Sequence, residues 1–200
     1  MTKISMTMVM LFGASAIAFA GPNDTKTPAP AAGAPKADMP ATGQMDMTPP
    51  KEIADMGKNM AGTWTCKGQG MGMDMKMADM TGKMTSKLEM SNSWIHDTFD
   101  AKMGKTPFHM ESYTTYDAKA KMWNQVMIEM GGGWGSGTST GMNANKMDWE
   151  MKTHNPMMGD GMFRDHTDMS DAKAGPKMWG EMSQDGKTWT KVYEMTCKKG

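Results

Sequence analysis

The chain of 200 residues carries 22 basic and 22 acidic side chains, so its formal net charge is zero. A balanced chain offers no field that would favour nucleic acid or an anionic membrane. Its length suits one domain with extensions.

Residues 1–20 have the form of a secretory signal. Lys3 supplies the positive start, Met6 to Phe12 open an apolar run, and Ala18-Phe19-Ala20 is an A-x-A cleavage site. The run is too short and too rich in small residues for a transmembrane helix. Cleavage after Ala20 is predicted, with no cysteine following it to carry a lipid anchor. No second apolar stretch occurs, so the mature protein is expected to be soluble, in a bacterial periplasm or secreted.

Residues 21–50 read as a disordered Pro/Ala-rich tether. Seven of the ten prolines fall there, and such a composition cannot bury enough apolar surface to fold alone. The folded domain is expected over 51–200. Thr48-Pro49-Pro50-Lys51-Glu52 reads as a helix start with proline in the first turn. Ile53, Met56 and Met60 share one face at 3/4 spacing, and Gly62 ends the helix.

From Thr63 onward the apolar period becomes two. Met71-Gly-Met73-Asp-Met75-Lys-Met77 alternates strictly, and further strand-like runs cover 93–99, 108–116, 121–129, 147–153, 162–168, 177–183 and 188–197. Turn signals separate them, with Gly131 to Gly141 read as a flexible turn with a bend in a strand and Asp185-Gly186 as a tight hairpin. Eight to ten short strands at this spacing predict an all-β antiparallel barrel or sandwich with a short N-terminal helix. Cys66 falls on the first strand and Cys197 on the last. Export makes a disulfide between them the default, and a closed barrel would set those strands side by side.

Methionine is the most unusual feature, at 31 residues. Beyond residue 20 the branched aliphatic residues are only Leu88, Ile53, Ile95, Ile128, Val126 and Val192. Six cannot fill a domain core, so methionine must supply much of it, helped by seven tryptophans. Core packing does not account for Met39, Met45 and Met47 in the tether, or for Met157 and Met158 beside Pro156. Thioether sulfur is neutral and soft, and it selects Cu(I) or Ag(I). Met45, Met47, Met71, Met73, Met75 and Met77 form M-x-M repeats and are the candidate soft-metal ligands. Exposed methionine could also scavenge oxidants reversibly. Trp64, Trp94, Trp123 and Trp149 are the candidate lining of an apolar cavity.

Gly137-Thr-Ser139-Thr-Gly141 matches G-x-S-x-G, but a nucleophile elbow requires a strand before it and a helix after, and the flanks here are Gly-rich and strand-like. His96, His109, His154 and His166 show no metal-binding spacing. His96-Asp97 and Asp165-His166 are sequence neighbours, which on a strand face opposite sides.

The helix followed by Gly62-Thr63-Trp64 resembles the opening of lipocalin-like (calycin) barrels. Tyr116-Asp117, then Trp123, and the closing Asp185-Gly186-Lys187 extend this to a bacterial family of exported domains of unknown function, over most of residues 51–198. That resemblance implies a lipocalin-like fold and carries no activity. The run Gly62-Thr-Trp64-Thr-Cys66-Lys-Gly68-Gln-Gly70 also resembles the G-x-W-x-G-x-G of nitrobindin-type haem barrels, with Cys66 where that pattern has glycine. It implies haem bound through a late-strand histidine, for which His154 or His166 would serve.

The expected function is therefore an exported, non-enzymatic binding protein for a small apolar ligand, or one with a stress role. The alternatives are a periplasmic Cu(I)/Ag(I)-binding protein, a haem barrel, and a hydrolase centred on Ser139.

Overall fold

The structure is a computed structural model that describes residues 48–72, 74–171 and 173–200. The signal-like segment and almost all of the tether, with Met39, Met45 and Met47, lie outside the described residues, as does Met73.

Helix α1 (Lys51–Met60) begins directly after Pro50, which occupies the N-cap position with φ −55° and ψ 143°. The prolines therefore precede the first turn rather than form part of it. They set an extended approach that α1 cannot propagate backwards, because proline disfavours helical geometry in the residue before it. Ile53 is fully buried, and Gly57 lies beneath Leu88, whose Cδ2 stands 2.6 Å from where a Cβ would be. Only glycine permits that approach. The Trp64 indole N–H donates to the Met60 carbonyl at 2.8 Å, which ties the end of α1 to the first strand.

Ten strands follow: β1 (Gly62–Met71), β2 (Met77–Glu89), β3 (Trp94–Met103), β4 (Thr106–Asp117), β5 (Met122–Glu129), β6 (Trp134–Ser139), β7 (Lys146–Asn155), β8 (Gly159–Asp168), β9 (Lys177–Ser183) and β10 (Thr190–Lys199). Each pairs antiparallel with its sequence neighbours, and β1 pairs with β10, so the sheet closes into a barrel. Closure leaves no free edge strand in the ring, which removes the aggregation hazard of an open sheet. Cys66 and Cys197 are register partners across that seam, disulfide-bonded, with their Cα atoms 4.0 Å apart.

Three local expectations differ from the structure. The Met71 to Met77 run is not one strand. It is a hairpin in which Met71 and Met77 face each other in register and Met75 sits in the turn at φ 61°. Alternation misled here because Gly72 and Asp74 are good turn formers as well as polar spacers. Gly131 to Gly141 contains a true strand, β6, with the turn confined to its N-terminal side. Asp185-Gly186 does not close a two-residue hairpin. It lies in the longer connection between β9 and β10, where the Asp185 carboxylate accepts the backbone N–H of Lys187 at 2.8 Å and of Thr188 at 2.7 Å. Those N–H groups hold its pKa down to about 2.

The interior contains two apolar clusters. One joins Trp64, Met80, Met84, Phe99 and Met195 to the cysteine pair. The other joins Ile53 and Ile95 to Trp123, Met147, Trp149 and Met151. Methionine thus supplies much of the core, as the shortage of branched aliphatic residues requires. Among the described residues, no helix is long and apolar enough to cross a membrane.

The bridge joins residues 131 apart in sequence, and by chain-entropy reasoning it should contribute about 5 kcal/mol. Reduction, or the pair Cys66→Ala and Cys197→Ala, should lower the urea midpoint accordingly. A change below about 1 kcal/mol would show that strand pairing alone holds the seam.

Candidate functional site

Strand alternation assigns each side chain to the inside or the outside of the barrel. On the inward positions of β4, β5, β8, β9 and β10 stand Phe108, Met110, Met127, Phe163, Met178 and Tyr193, and all are half-buried rather than sealed. A ten-stranded ring is wider than the eight-stranded ring that side chains just fill.

Polar groups interrupt this lining. Asp165 on β8 faces inward beside Phe163, and the Tyr193 hydroxyl on β10 donates to its Oδ1. The Phe163 and Tyr193 rings stack with centroids 6.4 Å apart, and Trp149 on β7 is the register partner of Asp165. Both rings lie over Gly180 of β9, where a Cβ would meet Tyr193 Cε1 at 2.4 Å and Phe163 Cζ at 2.6 Å. Burial pushes the Asp165 carboxyl up to about 6, although the Tyr193 hydroxyl and nearby His166 pull it back. Burial also raises the Tyr193 phenol, with Asp165 adding to the effect. Both residues nevertheless keep some accessible surface.

On β3, Asp97 faces inward between its register partners Ser86 and Ser112. Burial raises its pKa, and the two hydroxyls partly offset this. Asp97 Oδ1 and Ser86 Oγ are buried without a hydrogen-bond partner among the described residues. Glu129 on β5 is the third inward carboxyl. Burial raises its pKa, and Asn155 Nδ2 donates to it at 3.1 Å. Lys199, at the end of β10, is in inward phase as the register partner of Trp64, but it is exposed, with its Nζ 5.2 Å from the Trp64 ring centroid.

Of the tryptophans expected to line a cavity, Trp64, Trp123 and Trp149 are inward and buried. Trp94 is not with them, because it lies one residue out of phase with inward Ile95 and so on the outer side of β3. The four histidines are all on outer positions, each with a carboxylate. Glu89, His96, Glu111, His109 and Asp100 form a continuous ladder across β2 to β4, with contacts from 2.7 to 3.4 Å. His166 meets Asp148 at 2.6 Å and stacks on Trp179, and His154 meets Asp160 at 2.7 Å. A haem inside the barrel would find no histidine there, so His154 and His166 do not fit that role. Among the described residues, no group of three or more His, Cys, Asp or Glu is arranged to hold a metal ion.

Ser139 is buried at the end of β6, and its Oγ accepts the Gly141 N–H at 3.0 Å. A turn and strand β7 follow where a nucleophile elbow needs a helix. Of the candidate soft-metal residues, Met71 and Met77 are cross-strand partners on the outer face, while Met75 is 56% exposed at the tip of the same hairpin.

No family profile and no curated protein sequence matches the chain. A solved structure does. Rv2717c from M. tuberculosis superposes with a TM-score of 0.60 at 9% identity, over 76% of this chain and 99% of that one. At that identity the likeness concerns the fold alone: a closed antiparallel β-barrel. Membership of the lipocalin-like family does not follow from it.

Asp165 titrates near 3.8 when unfolded and at about 6 in the barrel. The folded state holds the proton more tightly, so stability should fall as pH rises from about 4 to about 6 and stay lower above, by up to about 3 kcal/mol. Asp165→Asn keeps an acceptor for Tyr193 and should flatten that slope in urea titrations. An unchanged slope would assign it to other groups.

Proposed function

We propose that this protein is an exported, non-enzymatic binding protein that holds a small apolar ligand inside its barrel. One observation carries the reading: inward Phe108, Met110, Met127, Phe163, Met178 and Tyr193 are half-buried rather than sealed, in a closed ring of ten strands. Methionine suits such a lining, since its unbranched side chain re-packs around ligands of different shape. The N-terminal sequence supports export, and the buried disulfide is compatible with an oxidising compartment.

The test is saturable binding of a neutral apolar fluorophore, N-phenyl-1-naphthylamine, read by its emission and by energy transfer from tryptophan. Saturation at one site is expected. Met178→Trp, which adds bulk at a half-buried inward position, should weaken binding about tenfold, or 1.4 kcal/mol. No saturation, or equal affinity in the variant, would contradict an interior site.

A second reading is favoured by the hairpin. Cross-strand partners have Cβ atoms about 5 Å apart, so Met71 and Met77 can converge on one soft ion, with Met75 near. Under this reading the protein competes with a Cu(I) chelator, and Met71→Leu with Met77→Leu, nearly volume-neutral, abolishes the competition. Unchanged competition in that double variant would clear the hairpin of any metal role.

A further inference from the structure

The barrel segregates charge in a way that specifies the ligand further. The three inward carboxyls, Asp97, Glu129 and Asp165, form no ion pair with a cation among the described residues, and Lys199, the lysine in inward phase, is exposed beside Trp64 at the end of β10. Every ion pair that the structure forms with lysine, arginine or histidine lies on the outer face or in a turn or helix. A buried carboxylate without a cation is costly, and desolvation normally selects against it unless something of opposite charge occupies the site.

The surroundings of Asp165 add direction. Its neighbours are aromatic residues: Tyr193, which meets it through its hydroxyl, Phe163, stacked on Tyr193 with centroids 6.4 Å apart, and Trp149 across the register. A carboxylate bordered by aromatic rings is the chemistry that recognises an ammonium group, through charge and cation–π attraction together. Tyr193 fixes one carboxylate oxygen by donating to Asp165 Oδ1.

A second, independent feature lies on the opposite wall. Strands β3 and β8 are five apart in the ring of ten, so Asp97 faces Asp165 across the interior. Followed one way round the ring, the register from Asp97 reaches Gly161, four residues from Asp165. Followed the other way, the register from Asp165 reaches Ala78, eight residues from Ser86, the partner of Asp97. Level positions on opposite walls would give equal offsets, so the two carboxyls differ in height by only about two residues. Beside Asp97, Ser86 is 2% exposed and inward; its hydroxyl is near enough to favour the Asp97 carboxylate, but neither Ser86 Oγ nor Asp97 Oδ1 makes a hydrogen bond of good geometry among the described residues. A buried hydroxyl and a buried carboxylate oxygen left unpaired are expected where a ligand completes the set.

We infer that the interior site takes an apolar molecule bearing a cationic amine or quaternary ammonium group, with the head at Asp165 among Trp149, Phe163 and Tyr193. This rests on the proposed interior binding site and names the chemistry of its occupant. The apolar body lies along the methionines, and any second polar group faces Asp97 and Ser86.

The test uses three chains of equal length that differ only in the head, namely dodecyltrimethylammonium, dodecanol and dodecanoate. Each is kept below its micelle concentration and displaces N-phenyl-1-naphthylamine from the full mature chain at pH 8. The ammonium is expected to bind at least about tenfold more tightly than the alcohol, and the carboxylate most weakly. Asp165→Asn should bring ammonium and alcohol together, each affinity being read against the naphthylamine affinity measured for that variant. The ranking in the unaltered protein stands even where that variant fails to fold. If the naphthylamine binds and the three heads compete equally, the cationic preference is refuted while the interior site stands. If the naphthylamine itself does not bind, the interior site fails and the preference with it.

Discussion

Everything in this fold depends on the pairing of β1 with β10. That contact turns a ten-strand meander into a ring, and it gives the sheet an inside. Without it, β1 and β10 would each present an unpaired edge, and the inward face would be an exposed stripe of methionine and tryptophan. The Cys66–Cys197 bond lies across this seam, inside the cluster formed by Trp64, Met80, Met84 and Phe99. Strand pairing, cross-link and packing thus act at one place. A core of methionine gains less specificity from shape than one of leucine and isoleucine, because each methionine has more rotamers to lose. A covalent closure is a fitting complement to so adaptable a core.

Closure also divides the charges. Outside, each histidine has a carboxylate within hydrogen-bonding reach, and the ladder from Glu89 through His96, Glu111 and His109 to Asp100 spans three strands. The exposed pairs at His109 and His154 contribute little to stability, whereas His96 is buried within the ladder. Inside, Asp97, Glu129 and Asp165 form no ion pair among the described residues, in surroundings that raise all their pKa values. A protein selected for stability alone would not place them there. Their cost is what one expects where binding rather than packing determines the residue.

The barrel was legible because its strands have solvent on one side, so alternation survives in the sequence from Thr63 onward. The helix was legible from Ile53, Met56 and Met60, and the cysteine pairing from the two ends it joins. The Met71 to Met77 run shows the limit of periodicity. A turn with glycine and aspartate at every second place alternates as well as a strand does. Trp94 shows another limit, since one residue of phase separates the inside from the outside. Asp165 gave no signal at all. In sequence it is one carboxylate beside a histidine. Its meaning comes from Tyr193, Phe163, Gly180 and Trp149, which long-range register alone brings around it.

The account turns on whether the ligand space is inside the ring. Methionine itself is the most direct reporter. With ¹³C-labelled methionine methyl groups, titration with N-phenyl-1-naphthylamine should shift the resonances of inward Met110, Met127, Met178 and Met195, and leave those of outward Met75 and Met157 in place. Shifts confined to Met75, Met157 and the other exposed methionines would place the ligand on the surface and contradict the account.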